Sequence, residues 1–68
     1  MSKKLEKTII EHFKATGNKP VDFVDLSVAL LPARDIAPAV GRLIESGRLV
    51  EVHEPGRVIT LVKLSQQN

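Results

Sequence analysis

The sequence predicts an α+β fold: helix, short strand, helix, turn, helix, then a β-hairpin. Three observations predict it. Apolar residues recur at helical spacing in three stretches. Each stretch ends on a helix-stopping signal, at Gly17-Asn18, Leu31-Pro32 and Gly47. Two C-terminal runs rich in Val, Ile and Leu flank Glu54-Pro55-Gly56, a turn sequence. The stretch that organises the rest runs from Ala33 to Leu49. In it Ile36, Val40, Leu43 and Ile44 fall at i, i+4, i+7 and i+8, one apolar stripe. Gly47 follows and accepts the left-handed conformation that closes a helix.

Residues 3–16 form the first expected helix. Leu5, Ile9 and Phe13 lie at i, i+4 and i+8, Ile10 widens the stripe, and Ser2 is the expected N-cap. Lys3, Lys7, Glu11 and Lys14 fall on the other faces. Lys19-Pro20-Val21 is extended, because proline fixes its own φ and disfavours helix at Lys19. A short edge strand suits a residue that cannot donate. Asp22 opens the second helix as N-cap with Asp25 at N3, and Asp25 is the alternative cap if the strand runs on to Phe23. Phe23, Leu26, Leu30 and Ala29 are the expected buried stripe of this helix.

The third helix occupies 36–46. With Asp35 as N-cap, Pro38 takes N3, where its missing N–H has no intrahelical partner to lose. Strand runs 49–53 and 58–64 close the hairpin. Val50 and Val52 share a face, with Ile59 and Leu61 as candidate partners. The opposite phase, Val58, Thr60, Val62 and Leu64, is also largely apolar, so the pattern leaves the register open. Ser65-Gln66-Gln67-Asn68 is a polar tail expected to fray.

Sixty-eight residues suit one domain, with an ordered core at about 3–64. That is close to the lower size limit for folding without a staple. The absence of cysteine excludes disulfides and a cysteine zinc site. Phe13 and Phe23 are the only aromatics, so the core is mainly aliphatic and no stacking platform for single strands exists. No apolar run reaches the roughly 18 residues of a membrane span. No long apolar stretch follows Lys3 and Lys4, so no secretory signal and a cytoplasmic location are expected. His12 and His53 have no carboxylate cluster with metal-site spacing, and no phosphate loop or nucleophile-base arrangement is present. The chain is therefore expected to be no enzyme and to hold no cofactor or metal.

The net charge of +2 is unevenly spread. Residues 1–19 carry five lysines against Glu6 and Glu11, residues 20–32 only Asp22 and Asp25, and residues 33–48 three arginines against Asp35 and Glu45. Basicity of this size permits nucleic-acid binding without demanding it.

The element order resembles the winged helix-turn-helix superfamily from about residue 5 to 64. The strongest part is Val40-Gly41-Arg42-Leu43-Ile44-Glu45-Ser46-Gly47-Arg48-Leu49-Val50-Glu51. It looks like the Arg-Leu-x-x-x-Gly-x-hydrophobic-hydrophobic-Glu passage that ends recognition helices in bacterial and archaeal regulators. The resemblance implies a small double-stranded DNA-binding transcriptional regulator, with 36–46 as recognition helix and the hairpin 49–64 as wing. The superfamily also holds members that bind protein instead. A narrower resemblance is to the small winged-helix protein that accompanies dissimilatory sulfite reductase. Val21-Asp22-Phe23 through Leu30-Leu31-Pro32 looks like its strand, second helix and proline stop, with a one-residue shift before the third helix. That resemblance implies a protein acting on an enzyme complex without touching DNA.

For DNA, the candidate contacts are Arg34, Pro38, Ala39 and Arg42 on the outward face of the third helix, Arg57 on the wing, and Lys19. Arginine can bind guanine through two hydrogen bonds, and small residues let a helix approach a groove. The competing reading makes these arginines solvated, one paired with Glu45 and Arg57 paired with Glu54 or Glu51. A monomer or a weak homodimer is expected, with no membrane partner. An extended basic surface over the third helix and the first-helix lysines favours DNA. An apolar face around Pro38, Ala39 and Val62 favours a protein partner.

Overall fold

The computed structural model describes residues 3–65. Its elements are α1 (Lys3–Ala15), β1 (Val21–Asp22), α2 (Phe23–Ala29), α3 (Ile36–Glu45), β2 (Leu49–Val52) and β3 (Leu61–Leu64). The order α1-β1-α2-α3-β2-β3 with a C-terminal hairpin is a winged helix-turn-helix topology. The expected cap at Ser2 and the tail from Gln66 lie outside the described residues.

The longer helices end as their glycines predict. After α1, the Gly17 N–H donates to the Lys14 carbonyl (3.4 Å) and the Asn18 N–H to that of Phe13 (2.7 Å). After α3, Gly47 donates to Ile44 (3.0 Å) and Arg48 to Leu43 (2.9 Å). Both are the paired bonds of a Schellman motif, and both need a left-handed residue, met by Gly17 at φ 75° and Gly47 at φ 79°. At the start of α2 the Asp22 carboxylate accepts from the Asp25 N–H at 2.7 Å, so Asp22 is the cap and Asp25 is N3. Asp35 precedes α3 in the left-handed region (φ 60°), and its side chain makes no capping bond. Pro38 sits at N3 of α3 as expected.

The core is built where α1, α3 and the sheet meet. Ile9, Ile10 and Phe13 of α1 pack with Ile36, Ala39, Val40 and Leu43 of α3, with Leu26 of α2, and with Leu49 and Val62 of the sheet. Each fully buried aliphatic or aromatic side chain among these contributes about 1.5–3 kcal/mol. Here the structure corrects the expected stripe of α3. Ala39 is fully buried and Ile44 only partly so. The inward set is thus Ile36, Ala39, Val40 and Leu43, spaced i, i+3, i+4 and i+7. A methyl group at Ala39 leaves room for neighbouring elements to come close, whereas a larger residue would hold them apart.

The sheet has the order β1-β3-β2, with both pairings antiparallel. Leu49 stands opposite Leu64 and Val52 opposite Leu61, while Val21 of β1 stands opposite Val62. Leu49, Val62 and Leu64 therefore look into the core. Val50, Val52 and Leu61 lie on the other face, where the central position of β3 keeps Leu61 buried. The register left open by the sequence pattern is thus fixed by the inner phase of β3.

Two further expectations fail. The second strand begins at Leu61, not at 58, so His53–Thr60 form an eight-residue wing loop. Within it Glu54-Pro55-Gly56-Arg57 makes the expected turn, closed by the Arg57 N–H donating to the Glu54 carbonyl at 3.1 Å with Gly56 at φ 80°. Ile59 gains no strand partner. Second, only Leu26 of α2 is buried. Leu30 is half-buried against the core, whereas Phe23 and Ala29 are exposed. Side chains lean toward the N-terminus of their helix, so a phenylalanine at the first helical position overhangs the β1 junction rather than the core.

A further tie was not foreseen. The Asn18 side chain donates Nδ2–H to the Leu64 carbonyl (3.3 Å) and accepts the Leu64 N–H on Oδ1 (2.7 Å). One carboxamide thus fastens the end of α1 to the end of β3.

Candidate functional site

The outward face of α3 consists of Ala37, Pro38, Gly41, Arg42 and Glu45, all exposed. Ala39 leaves the expected contact set because it lies in the core. Arg42 does not extend from this face alone. Its Nε donates to Oε2 of Glu6 on α1 at 2.8 Å, so the pair joins α1 to α3. Glu6, rather than Glu45, is its partner. On the wing, Arg57 Nη1 lies 3.4 Å from Oε1 of Glu54. Two of the candidate cations are thus matched by carboxylates. Such exposed pairs add little stability, about 0–1 kcal/mol, but they lower the positive potential offered to a phosphate. Arg34 and Lys19 are exposed and have no ion-pair partner among the described residues.

Four other cations gather elsewhere. Lys3, Lys7 and Lys14 of α1 and Arg48 after α3 line an open hollow of about 460 Å³, with Ile10 in its wall and Glu6 and Glu11 among its lining. A basic stripe therefore follows α1 instead of covering α3.

The apolar surface is concentrated on α2 and the hairpin. Val24 (67% exposed), Val28 (62%) and Leu31 (68%) fall at i, i+4 and i+7 along α2 and the turn after it, a second stripe opposite Leu26. Phe23 flanks them, 42% exposed. The register that sets Asp22 opposite Leu61 brings the start of α2 beside the last residues of the wing loop. There Ile59 and Val58 are exposed as well. Of the expected apolar face around Pro38, Ala39 and Val62, only Pro38 is exposed, whereas Ala39 and Val62 are buried.

The α2 face is hard to see in the sequence because Leu26 and Leu30 already account for one inward stripe. The available signal was that seven of the nine residues from Phe23 to Leu31 are apolar, with only Asp25 and Ser27 polar, more than one buried stripe of a short surface helix needs. Ser27 adds to the picture. Its hydroxyl oxygen is buried and has no hydrogen-bond partner among the described residues.

Among the described residues no group of three or more His, Asp or Glu is placed to hold a metal. No helix among them is long and apolar enough to cross a membrane. No family model, curated protein or solved structure gives a significant match to the chain.

Proposed function

We propose that the chain is a single-domain, non-catalytic regulatory module whose partner is a protein, bound through the exposed face of α2 and the adjoining wing. The observation that carries this reading is the concentration of large apolar side chains in solvent at Phe23, Val24, Val28, Leu31, Val58 and Ile59. Contiguous exposed apolar surface marks interaction sites, whereas scattered single residues do not. Such a module would regulate an enzyme or regulatory complex by docking on it. The test is affinity capture with cross-linking, comparing the natural chain with Val28→Asp and Arg34→Ala. A partner held by the natural chain and by Arg34→Ala, but lost with Val28→Asp, is the expected outcome. Equal capture by all three would refute the reading.

A second reading, a small double-stranded DNA-binding transcriptional regulator, is favoured by one observation. Arg34 and Lys19 are exposed cations without ion-pair partners near a helix-turn-helix. In it, Arg34, Pro38 and Arg42 meet the major groove, and Arg57 and Lys19 meet the backbone. Fluorescence anisotropy with random duplex at about 50 and 200 mM salt tests it, because phosphate contacts weaken steeply with salt. Salt-sensitive binding lowered by Arg34→Ala and Arg42→Ala would support it. No binding at the lower salt would remove it.

A further inference from the structure

We infer that the hollow between α1 and Arg48 binds a compact chain of linked phosphates, either a free oligophosphate or the phosphate tail of a nucleotide. No residue of α2 or the wing loop lines it, so the site does not depend on what covers the α2–wing face.

The sequence sets one wall. Lys3, Lys7, Ile10 and Lys14 fall at i, i+4, i+7 and i+11, on one face of α1. Ile10 is buried, so packing fixes the orientation of this face, while the three lysines are exposed. Lys3 and Lys14 are eleven residues apart, about 16 Å along the helix axis. Arg48 supplies the other wall, 34 residues beyond Lys14 in the chain. Its N–H donates to the Leu43 carbonyl at 2.9 Å and its carbonyl accepts the Ser65 N–H at 3.0 Å. Its main chain is thus pinned between the end of α3 and the end of β3. A smaller hollow of about 180 Å³ shares Ile10, Lys14 and Arg48 and reaches Ser65, so the basic surface continues to the edge of the sheet.

The charge balance selects an anion. Against Lys3, Lys7, Lys14 and Arg48 the lining sets Glu6 and Glu11. Glu6 already accepts from Arg42 at 2.8 Å. Glu11 and the four cations make no ion pair among the described residues. Cations converging from two elements repel one another, and an anion seated among them relieves that repulsion. The lysines of α1 alone would be a solvated face; Arg48 turns that face into a concave site.

Size and lining select the class of anion. The volume of about 460 Å³ is in the range of small-ligand sites, about 300–1,000 Å³. Cations spread along a helix outreach a single phosphate or sulfate, whereas a phosphate chain offers charge to each in turn. None of the lining residues is aromatic, so no surface stacks a base and the charged chain itself is what the site recognises.

The experiment is isothermal titration calorimetry of the full chain at about 50 mM salt. The ligands are sodium tripolyphosphate, ATP, AMP and sulfate at matched ionic strength. Tripolyphosphate is expected to bind about tenfold or more tighter than AMP or sulfate. Lys7→Glu and Arg48→Glu should each weaken it about tenfold or more. Arg34→Glu and Arg57→Glu, which change the net charge equally outside the hollow, should leave it within about twofold. Lys7→Gln should cause a smaller loss than Lys7→Glu, and circular dichroism checks the fold of each variant. ATP binding tighter than tripolyphosphate supports the nucleotide tail as the source, and the reverse order supports a free oligophosphate. Tripolyphosphate binding no tighter than AMP or sulfate overturns the site. So does an equal loss with all four glutamate variants, which would be a response to net charge alone. Random duplex DNA that binds through Lys7 and Arg48 while tripolyphosphate does not also overturns it, in favour of a nucleic-acid backbone.

Discussion

The two phenylalanines stand for two differently built halves of the molecule. Phe13 is fully buried where α1, α3 and the sheet converge, and around it every apolar stripe finds an opposing one. Phe23 sits at the start of α2, on a helix that gives one fully buried side chain to the core and turns Val24, Val28 and Leu31 to solvent. The first half is a closed structural unit. The second carries more apolar surface than the fold itself uses. Burial follows how many elements converge on a position, not the hydrophobicity of the residue placed there.

This contrast sets the expected effects of substitution. Phe13→Ala should cost about 3–5 kcal/mol and leave little folded protein, whereas Phe23→Ala should cost less than about 1 kcal/mol. Urea midpoints of the two variants measure the difference directly. A large loss at Phe23 would mean that α2 is part of the closed half. Asn18→Ala strips both partners from the Leu64 main chain and should cost about 1–3 kcal/mol, again read from urea unfolding. Gly41→Ala should act in the other direction. Nothing lies within 4 Å of the position of an added Cβ, so the gain in helix propensity should stabilise by about 0.5–1 kcal/mol. The same variant should leave partner capture unchanged, since it lies on α3. Capture lost with Gly41→Ala would move the interface to that helix. Smallest of all, Val58→Asp should change stability by no more than about 0.5 kcal/mol, read from thermal unfolding, because this side chain is 99% exposed.

Much of the fold was legible because it is written in local chemistry. Gly17 and Gly47 mark helix ends that only a left-handed residue can close, Asp22 caps α2, and Glu54-Pro55-Gly56 turns the wing. Pro38 was placeable because its missing donor is harmless only in a first turn. What periodicity could not decide was which of two neighbouring stripes faces inward. Ala39 against Ile44 on α3, and Leu26 against Val24 and Val28 on α2, lie only two to five residues apart. The choice depends on which elements approach from which side. The ion pair between Arg42 and Glu6 was hidden for the same reason, since the partners are 36 residues apart. The strand start at Leu61 was missed because Val58 and Ile59 carry strand-forming side chains but have no backbone partner opposite them.

The Asn18 carboxamide also closes an edge of the sheet. On the β1 side of β3, the rung after Val21–Val62 falls at Leu64, where Pro20 and Lys19 do not continue the strand. An open N–H and carbonyl there would template a strand from another molecule, the first step of edge-to-edge assembly. Asn18 fills the rung with a side chain that no further strand can extend. Deamidation to aspartate, the ordinary thermal damage of asparagine, would keep the acceptor for the Leu64 N–H and destroy the donor to its carbonyl. One hydrolysed amide would thus reopen half of the rung that guards this edge of the sheet.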